Sequence, residues 1–336
     1  MKIGVLGAGS FGTALAVHAA RRSHETWLWA RRSDQVQALS RDRENRKYLE
    51  GVEIPPEVSP TTDLEAVGRC DVVLVAVPSH GFRAVLHEFL EKAPGDRPTV
   101  IVSATKGIEP ETLARMSQVS FEEGIKTDRE VGFAVLSGPS FAIELAQGKP
   151  TAAVIASEDG SLARRLQEIL SNAALRLYTS GDVAGVELGG TCKNVIAIAA
   201  GIVDGLGFGH NTQAALITRG LHEMTRLGLA LGGQPRTFSG LAGLGDLVLT
   251  CTGGLSRNRR AGIALAQGKS LTQLEEETGM VAEGVRNSVA VTALAAKKGV
   301  EMPIAEQMVE VIHHGKPARK ALEELMSRDL KAEAEL

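Results

Sequence analysis

The chain has 336 residues, 43% hydrophobic and 23% charged, with a formal net charge of -3. That length points to two domains, since single cores stop growing at roughly 250–300 residues, and the charge balance excludes a general nucleic-acid binder, so any basic site must be local. The three cysteines, Cys70, Cys192 and Cys251, form no Cys-x-x-Cys pair, so no disulfide framework, zinc site or other metal is expected, and a reducing cytoplasm fits. The longest strongly apolar run, Val195 to Leu206, falls short of the about 20 residues that cross a bilayer, so no membrane insertion is expected. Met1-Lys2 leads directly into Ile3-Gly4-Val5-Leu6 without the cleavage site of a signal peptide.

The first half alternates short β-branched runs with amphipathic helical stretches. Strands are expected at Lys2–Leu6, Thr26–Ala30, Asp71–Val77, Thr99–Thr105, Gly132–Leu136, Ala152–Ala156 and Leu175–Thr179, with helices such as Phe11–Ala20 and Gly81–Glu91 between them. Such alternation predicts an α/β, mostly parallel, doubly wound sheet covered on both faces. The continuous apolar run Val72-Val73-Leu74-Val75-Ala76-Val77 suits a strand buried on both sides. Past Ser180 helices take over: Val183–Asp204, Asn211–Leu231, Arg259–Ala266, Val281–Lys298 and Ile304–His313. A boundary at Ser180-Gly181-Asp182, where Ser or Asp could cap the first long helix, divides the chain into domains 1–180 and 181–330. The charged end, Lys331–Leu336, is expected to fray.

Gly7-Ala8-Gly9-Ser10-Phe11-Gly12 follows the first strand and opens a helix. Its glycines suit a tight turn, close backbone approach to a pyrophosphate and close helix–strand packing, the fingerprint of a Rossmann dinucleotide site. After the second strand comes Trp29-Ala30-Arg31-Arg32-Ser33, where NAD enzymes place an acidic residue. Two arginines there suit the 2′-phosphate of NADP; a solvated basic turn is the alternative.

In the helical half, Glu187 to Gly201 reads as a buried helix carrying Lys193 and Asn194 mid-way, with Glu187 two turns before Asn194 on about the same face. Burial of a charged lysine is costly and favours its neutral form, which suits a base for a substrate hydroxyl proton; a lysine snorkelling to the surface is the alternative. Gly240-Leu241-Ala242-Gly243-Leu244-Gly245-Asp246-Leu247 then leads to Ser256-Arg257-Asn258. A flexible glycine-rich stretch, one Asp and Ser-Arg-Asn could cradle a small phosphorylated polyol, or form an ordinary N-cap with solvated charges. Two loops at strand ends add Lys106 (Ser103 to Gly107) and Ser140 (Ser137 to Phe141), readable equally as a surface lysine and a capping turn. His80, His210, His313 and His314 show no ligand spacing.

Over essentially its full length the chain resembles the bacterial-type NAD(P)-dependent glycerol-3-phosphate dehydrogenases. Gly190-Thr191-Cys192-Lys193-Asn194, continuing through Ala197, Gly201, Asp204-Gly205, Gly209 and Asn211, carries the resemblance most specifically. Ser137-Gly138-Pro139-Ser140, Gly245-Asp246-Leu247, Ser256-Arg257-Asn258 and Val281-Ala282-Glu283-Gly284 add to it. The resemblance implies interconversion of sn-glycerol 3-phosphate and dihydroxyacetone phosphate with NADP(H) or NAD(H), feeding phospholipid synthesis, by a cytoplasmic homodimer. It implies Lys193 as proton acceptor, with Lys106 beside substrate and cofactor. Gly138, Ser140, Asp246, Ser256, Arg257 and Asn258 would line the substrate site. Gly7, Gly9, Ser10, Phe11, Gly12, Arg31, Arg32, Tyr48, Lys106, Ala142, Arg257, Val281 and Glu283 would touch the cofactor. Cys192 departs from the family, which places an aliphatic residue there. Two rivals share the plan: a β-hydroxyacid dehydrogenase, whose helix would carry Lys-x-x-x-Asn rather than adjacent Lys193-Asn194, and a non-catalytic NADP-binding sensor.

Overall fold

The computed structural model describes every residue except 96–97, 271–272, 274–281, 331 and 334–336. The chain divides into two compact units, Met1–Glu109 with Ala114–Val183, and Pro110–Leu113 with Ala184–Leu336.

The first unit is built on an eight-stranded sheet of order β10-β9-β8-β7-β6-β1-β2-β5. Its strands are β1 (Lys2–Leu6), β2 (Glu25–Trp29), β5 (Val58–Thr61), β6 (Val72–Val75), β7 (Thr99–Ser103), β8 (Val131–Ser137), β9 (Thr151–Ala156) and β10 (Leu175–Ser180). A separate two-stranded ribbon pairs β3 (Glu44–Asn45) with β4 (Leu49–Glu53). From β5 to β8 every pairing is parallel, and the six strands taken in chain order lie 3-2-1-4-5-6, the Rossmann arrangement with its switch point between β1 and β6. Only β9 runs antiparallel to its neighbour β8, with Val135 opposite Ala156. All four residues of β6 are buried, as its unbroken apolar run requires. The expected strands are all present. Sequence pattern missed β5, because Val58-Ser59-Pro60-Thr61 contains a proline; at the sheet edge Pro60 need not donate to a ladder.

The helices of this unit are α1 (Ser10–Arg21), α2 (Ser33–Asp42), α3 (Leu64–Gly68), α4 (Ser79–Lys92), α5 (Met116–Lys126), α6 (Ala142–Ala146) and α7 (Gly160–Leu170). Helix α1 is buried from Gly12 to Ala20, and its C-terminal end ties down other helices. His18 Nε2 lies 2.7 Å from Leu170 O, and Arg22 donates to Glu168 O and Ile169 O at the end of α7. Burial holds the His18 imidazole below its ordinary value, which keeps it neutral.

The second unit is all helical: α8 (Val183–Gly205), α9 (His210–Ala230), α10 (Pro235–Phe238), a π-helical turn at Leu241–Gly245, α11 (Asp246–Thr252), α12 (Arg257–Ala266), α13 (Glu283–Lys298), α14 (Pro303–His313) and α15 (Ala318–Met326) follow in chain order among the described residues. By length and mean hydropathy α8 could cross a membrane, longer than its unbroken apolar run had suggested, but its apolar window is wholly buried and it serves as the core helix. Small residues let α12 lie against it: a side chain at Gly201 would strike Arg259 O, and one at Gly262 would strike Ile198 O. Two expectations need correction here. The stretch Gly240–Asp246 is not a flexible loop but a π-helical turn running into α11. Its glycines serve packing, since a side chain at Gly243 would collide with the Phe238 backbone. Helix α12 also starts two residues earlier than the periodicity suggested, because Ser256 caps it. The expected start of α13 at Val281 and most of the tail Lys331–Leu336 lie outside the described residues.

Candidate active site

In the first unit, candidate residues gather at the carboxyl ends of β1, β7 and β8. Gly7 has φ +109°, and a Cβ there would sit 2.9 Å from Ala76 O on the neighbouring strand's extension. Gly9 has open space above it, whereas a side chain at Gly12 would strike Gly7 O, so the glycines divide their work as the fingerprint requires. Gly9 is the N-cap of α1 and provides no side-chain cap, which leaves the first-turn N–H groups facing that opening. A dinucleotide pyrophosphate fits this combination of space, donors and helix dipole. The loop is braced from behind by residues that pattern reading missed. Gln35 and the buried Asn45 both donate to Ala8 O, at 2.7 and 3.1 Å, and Asn45 also donates to Thr13 Oγ1 at 2.7 Å. Asn45 had no local signal because its partners lie more than thirty positions away.

Arg31 and Arg32 follow β2 and are exposed; Arg32 Nε lies 3.3 Å from Asp34 at the start of α2. Tyr48 is half-buried in the turn between β3 and β4, its ring 5.2 Å from Lys47 Nζ. Lys106, just past β7, bridges two other candidates: Nζ donates to Gly138 O at 3.2 Å and lies 6.0 Å from the centre of the Phe11 ring. Gly138 takes φ +140°, and Ser140 Oγ donates to its carbonyl at 3.0 Å. Ala142 opens the short α6. Behind Lys106, the buried Glu109 receives both arms of the Arg83 guanidinium at 2.7 and 2.6 Å. Arg83 also reaches Glu122 at 2.8 Å and the buried Glu123 at 2.6 Å, and Glu123 is in turn met by His87 and Lys126. Burial works against the Glu123 carboxylate, yet Lys126, Arg83 and His87 together hold it below the usual range.

In the second unit Lys193 is only 6% exposed, which excludes the snorkelling alternative. Its Nζ is paired with the buried Asp246 of α11 and donates to Thr250 Oγ1 at 2.9 Å. One helical turn separates Asp246 from Thr250, so α11 presents both to α8 from one face. The neighbouring Asn194 begins a second connection. Asn258 Nδ2 donates to Asn194 Oδ1 at 2.9 Å, and Asn258 Oδ1 accepts from Gly284 N at 3.0 Å. This joins α8, α12 and the start of α13, beside the candidate Glu283. Ser256 is buried and its hydroxyl accepts from Arg259 N at 3.2 Å, the N-cap role left open by the sequence. Arg257 is exposed in the first turn of α12, while Arg259 pairs with Asp204 at 2.6 Å. Cys192 and Cys251 are buried beside this cluster, and burial pushes both thiols up to about 12, so they pack as small apolar groups. Val281 lies outside the described residues.

Comparison with known proteins decides the family. The N-terminal model of NAD-dependent glycerol-3-phosphate dehydrogenase matches residues 2–163, and the C-terminal model of the same family matches residues 182–323. The chain belongs to this family. Among its relatives, a glycerol-3-phosphate dehydrogenase [NAD(P)+] of Geobacter sp. (strain M21) is 52% identical over 333 residues, spanning 99% of this chain and 98% of that protein. The corresponding Geobacter sulfurreducens protein is 52% identical over 337 residues. A crystal structure of glycerol-3-phosphate dehydrogenase from Coxiella burnetii superposes with a TM-score of 0.92 at 40% identity, covering 97% of this chain and 99% of that one. Membership sets aside the β-hydroxyacid dehydrogenase as the nearest enzymatic rival.

Proposed function

We propose that this chain interconverts sn-glycerol 3-phosphate and dihydroxyacetone phosphate using NADP(H) or NAD(H), and so supplies glycerol 3-phosphate for phospholipid synthesis. The observation that carries this is Lys193, buried on α8 and held by Asp246 and Thr250, in a chain of this family. When bound, the nicotinamide supplies the hydride chemistry. Gly7 and Gly9, with Ser10 and Phe11 at the α1 N-terminus, would hold the pyrophosphate, and Gly12 lets the helix pack against the turn that does so. Arg31 and Arg32 meet the 2′-phosphate where one is present. By resemblance Tyr48, Ala142, Arg257, Val281 and Glu283 would complete the cofactor contacts, and the resemblance likewise implies a cytoplasmic location and a homodimer.

Lys193 takes the proton of the secondary hydroxyl in oxidation and returns it to the ketone oxygen in reduction. Asp246 and Thr250 fix the direction of Nζ, so its rotamer freedom is lost during folding rather than at the chemical step. The substrate phosphate is placed at the N-terminus of α12, where Arg257 and the helix dipole favour it. The Ser256 hydroxyl accepts a backbone bond and so retains its proton for a phosphate oxygen. Asn258 uses its carbonyl oxygen on Gly284 N and one amide proton on Asn194, leaving the second amide proton for the ligand. Lys106, Gly138 and Ser140 are assigned to substrate contacts by resemblance.

The test is oxidation of NADPH and NADH, measured separately, with dihydroxyacetone phosphate. Turnover is expected with that substrate and only a feeble rate with unphosphorylated dihydroxyacetone. Equal rates with both, or turnover confined to the β-oxo acid that a β-hydroxyacid dehydrogenase would reduce, would sink the assignment. Replacing Arg31 and Arg32 together by Ala should weaken NADPH much more than NADH; equal weakening would leave them as ordinary loop residues.

A further inference from the structure

We propose that Arg83 and Glu109 are positioning residues that fix Lys106 at the carboxyl end of β7. Lys106 lies between two anchors. On its N-terminal side Ala104 N donates to Val75 O at 2.8 Å, and the buried Thr105 hydroxyl donates to Val77 O at 2.7 Å. On its C-terminal side only Gly107 and Ile108 intervene before Glu109. Ile108 is buried and bridges to Arg115, and Glu109 N donates to Ala114 O at 3.0 Å. The Glu109 carboxylate is gripped by the fork of Arg83, which projects from α4. Both anchors therefore come from the β6–α4 segment: Val75 and Val77 hold one side of Lys106, and Arg83 holds the other.

Chemistry explains why this grip is rigid. A two-armed Arg–carboxylate pair fixes distance and plane together, unlike a single lysine contact. Two further guanidinium donors are taken by Glu122 and Glu123 on α5, so Arg83 cannot rotate away without leaving the buried Glu123 short of a donor. Lys106 then reaches Gly138 O and the face of Phe11 from a backbone whose two ends are set. A lysine on a free loop would have to find that geometry at each turnover. Displacement of a catalytic group by about 1 Å costs on the order of 100-fold in rate.

The proposal rests on the reading that Lys106 touches substrate and cofactor, and a double-mutant cycle separates the two. Arg83→Met and Glu109→Gln should each lower kcat/KM for dihydroxyacetone phosphate by about 10- to 100-fold. Placed on Lys106→Met, neither should add more than about twofold, the usual additivity error, because the group they orient is gone. A role in folding alone would give the same loss in both backgrounds, and that outcome overturns the proposal. So would full activity in both single variants while Lys106→Met is impaired. Near wild-type turnover in Lys106→Met would instead overturn the Lys106 reading and the proposal with it. If Arg83→Met fails to fold, Glu109→Gln, which keeps the shape of the side chain, makes the same comparison.

Discussion

Two helix N-termini in this molecule are treated in opposite ways. At the start of α1 the N-cap is Gly9, no side chain caps the turn, and the space above Gly9 is open. At the start of α14 a side chain from another helix takes the donors: the Glu223 carboxylate of α9 accepts from Ile304 N at 2.7 Å and Ala305 N at 3.2 Å. Every α-helix begins with N–H groups that have no partner inside the helix. Where folding satisfies them, the helix end is structure; where folding leaves them open beside a glycine turn, they wait for an anion. On the proposed reading, the glycine turn of the sheet unit meets a ligand with its backbone, whereas Lys193 of the helical unit meets one with its side chain. Substitution should separate these two kinds of site.

The largest effect belongs to the side-chain site. Lys193→Ala should lower kcat by about 100- to 10,000-fold, the usual cost of losing a positioned general acid–base, with NADPH binding retained. Loss of Lys193 leaves Asp246 buried without that partner, so Lys193→Met combined with Asp246→Asn serves as the electrically balanced control. NADPH binding measured by fluorescence and turnover measured by absorbance should part company. A folded variant that keeps near wild-type turnover would move the chemistry away from this helix.

The backbone site should respond to single methyl groups. Gly9→Ala meets no neighbour, so its melting temperature should stay with the wild type. Its NADPH affinity should fall about 10- to 100-fold, as expected when a charge-assisted hydrogen bond is lost. Gly12→Ala should instead lose stability, by about 1–3 kcal/mol for an overpacked contact, because the added carbon would collide with Gly7 O. Calorimetry and NADPH titration on the pair check this. If Gly9→Ala binds NADPH normally, the opening above Gly9 is not the pyrophosphate site.

Much of this was legible in sequence because it is local. The glycine turn, the two-faced strand Val72–Val75 and the long buried α8 each carry their signal within one window of residues. The mostly parallel, doubly wound sheet follows from strand–helix alternation, whereas the strand order, with β5 at its edge, had to come from the structure. What stayed hidden depends on distant partners. Asn45 looks like any turn residue until it meets Ala8 O, and Glu109 like any loop acid until Arg83 grips it. The glycines of 240–245 misled for a different reason. Composition cannot say whether a missing side chain makes room for a turn, a ligand or a neighbour's backbone, and here Phe238 fills the space. Asp246 was singled out as a substrate contact, but its pairing with Lys193 needed the register of α11 against α8.

The smallest effect tests the capped end of the comparison. Glu223 is buried, and burial pushes its carboxyl up to about 7 despite the two N–H bonds from α14 and the nearby Arg226, which favour the charged form. The folded value therefore lies above the ordinary carboxylate value of 4.5. A group raised in this way holds its proton more tightly when folded. Its contribution to stability is full below about 4.5 and is lost as the pH rises through about 7, because above that the fold must accommodate a buried charge. In Glu223→Gln this slope disappears. The amide oxygen can still accept from one N–H, so the variant should lose roughly 1 kcal/mol of hydrogen bonding at every pH. Against that constant loss, its melting temperature relative to the wild type should improve steadily from pH 5 to pH 8, about where Glu223 ionises. Turnover at neutral pH should be unaffected, since Glu223 faces backbone donors rather than Lys193. Parallel pH profiles for the two proteins would mean that Glu223 does not change its proton between folded and unfolded states, and that the α14 cap is ionised throughout.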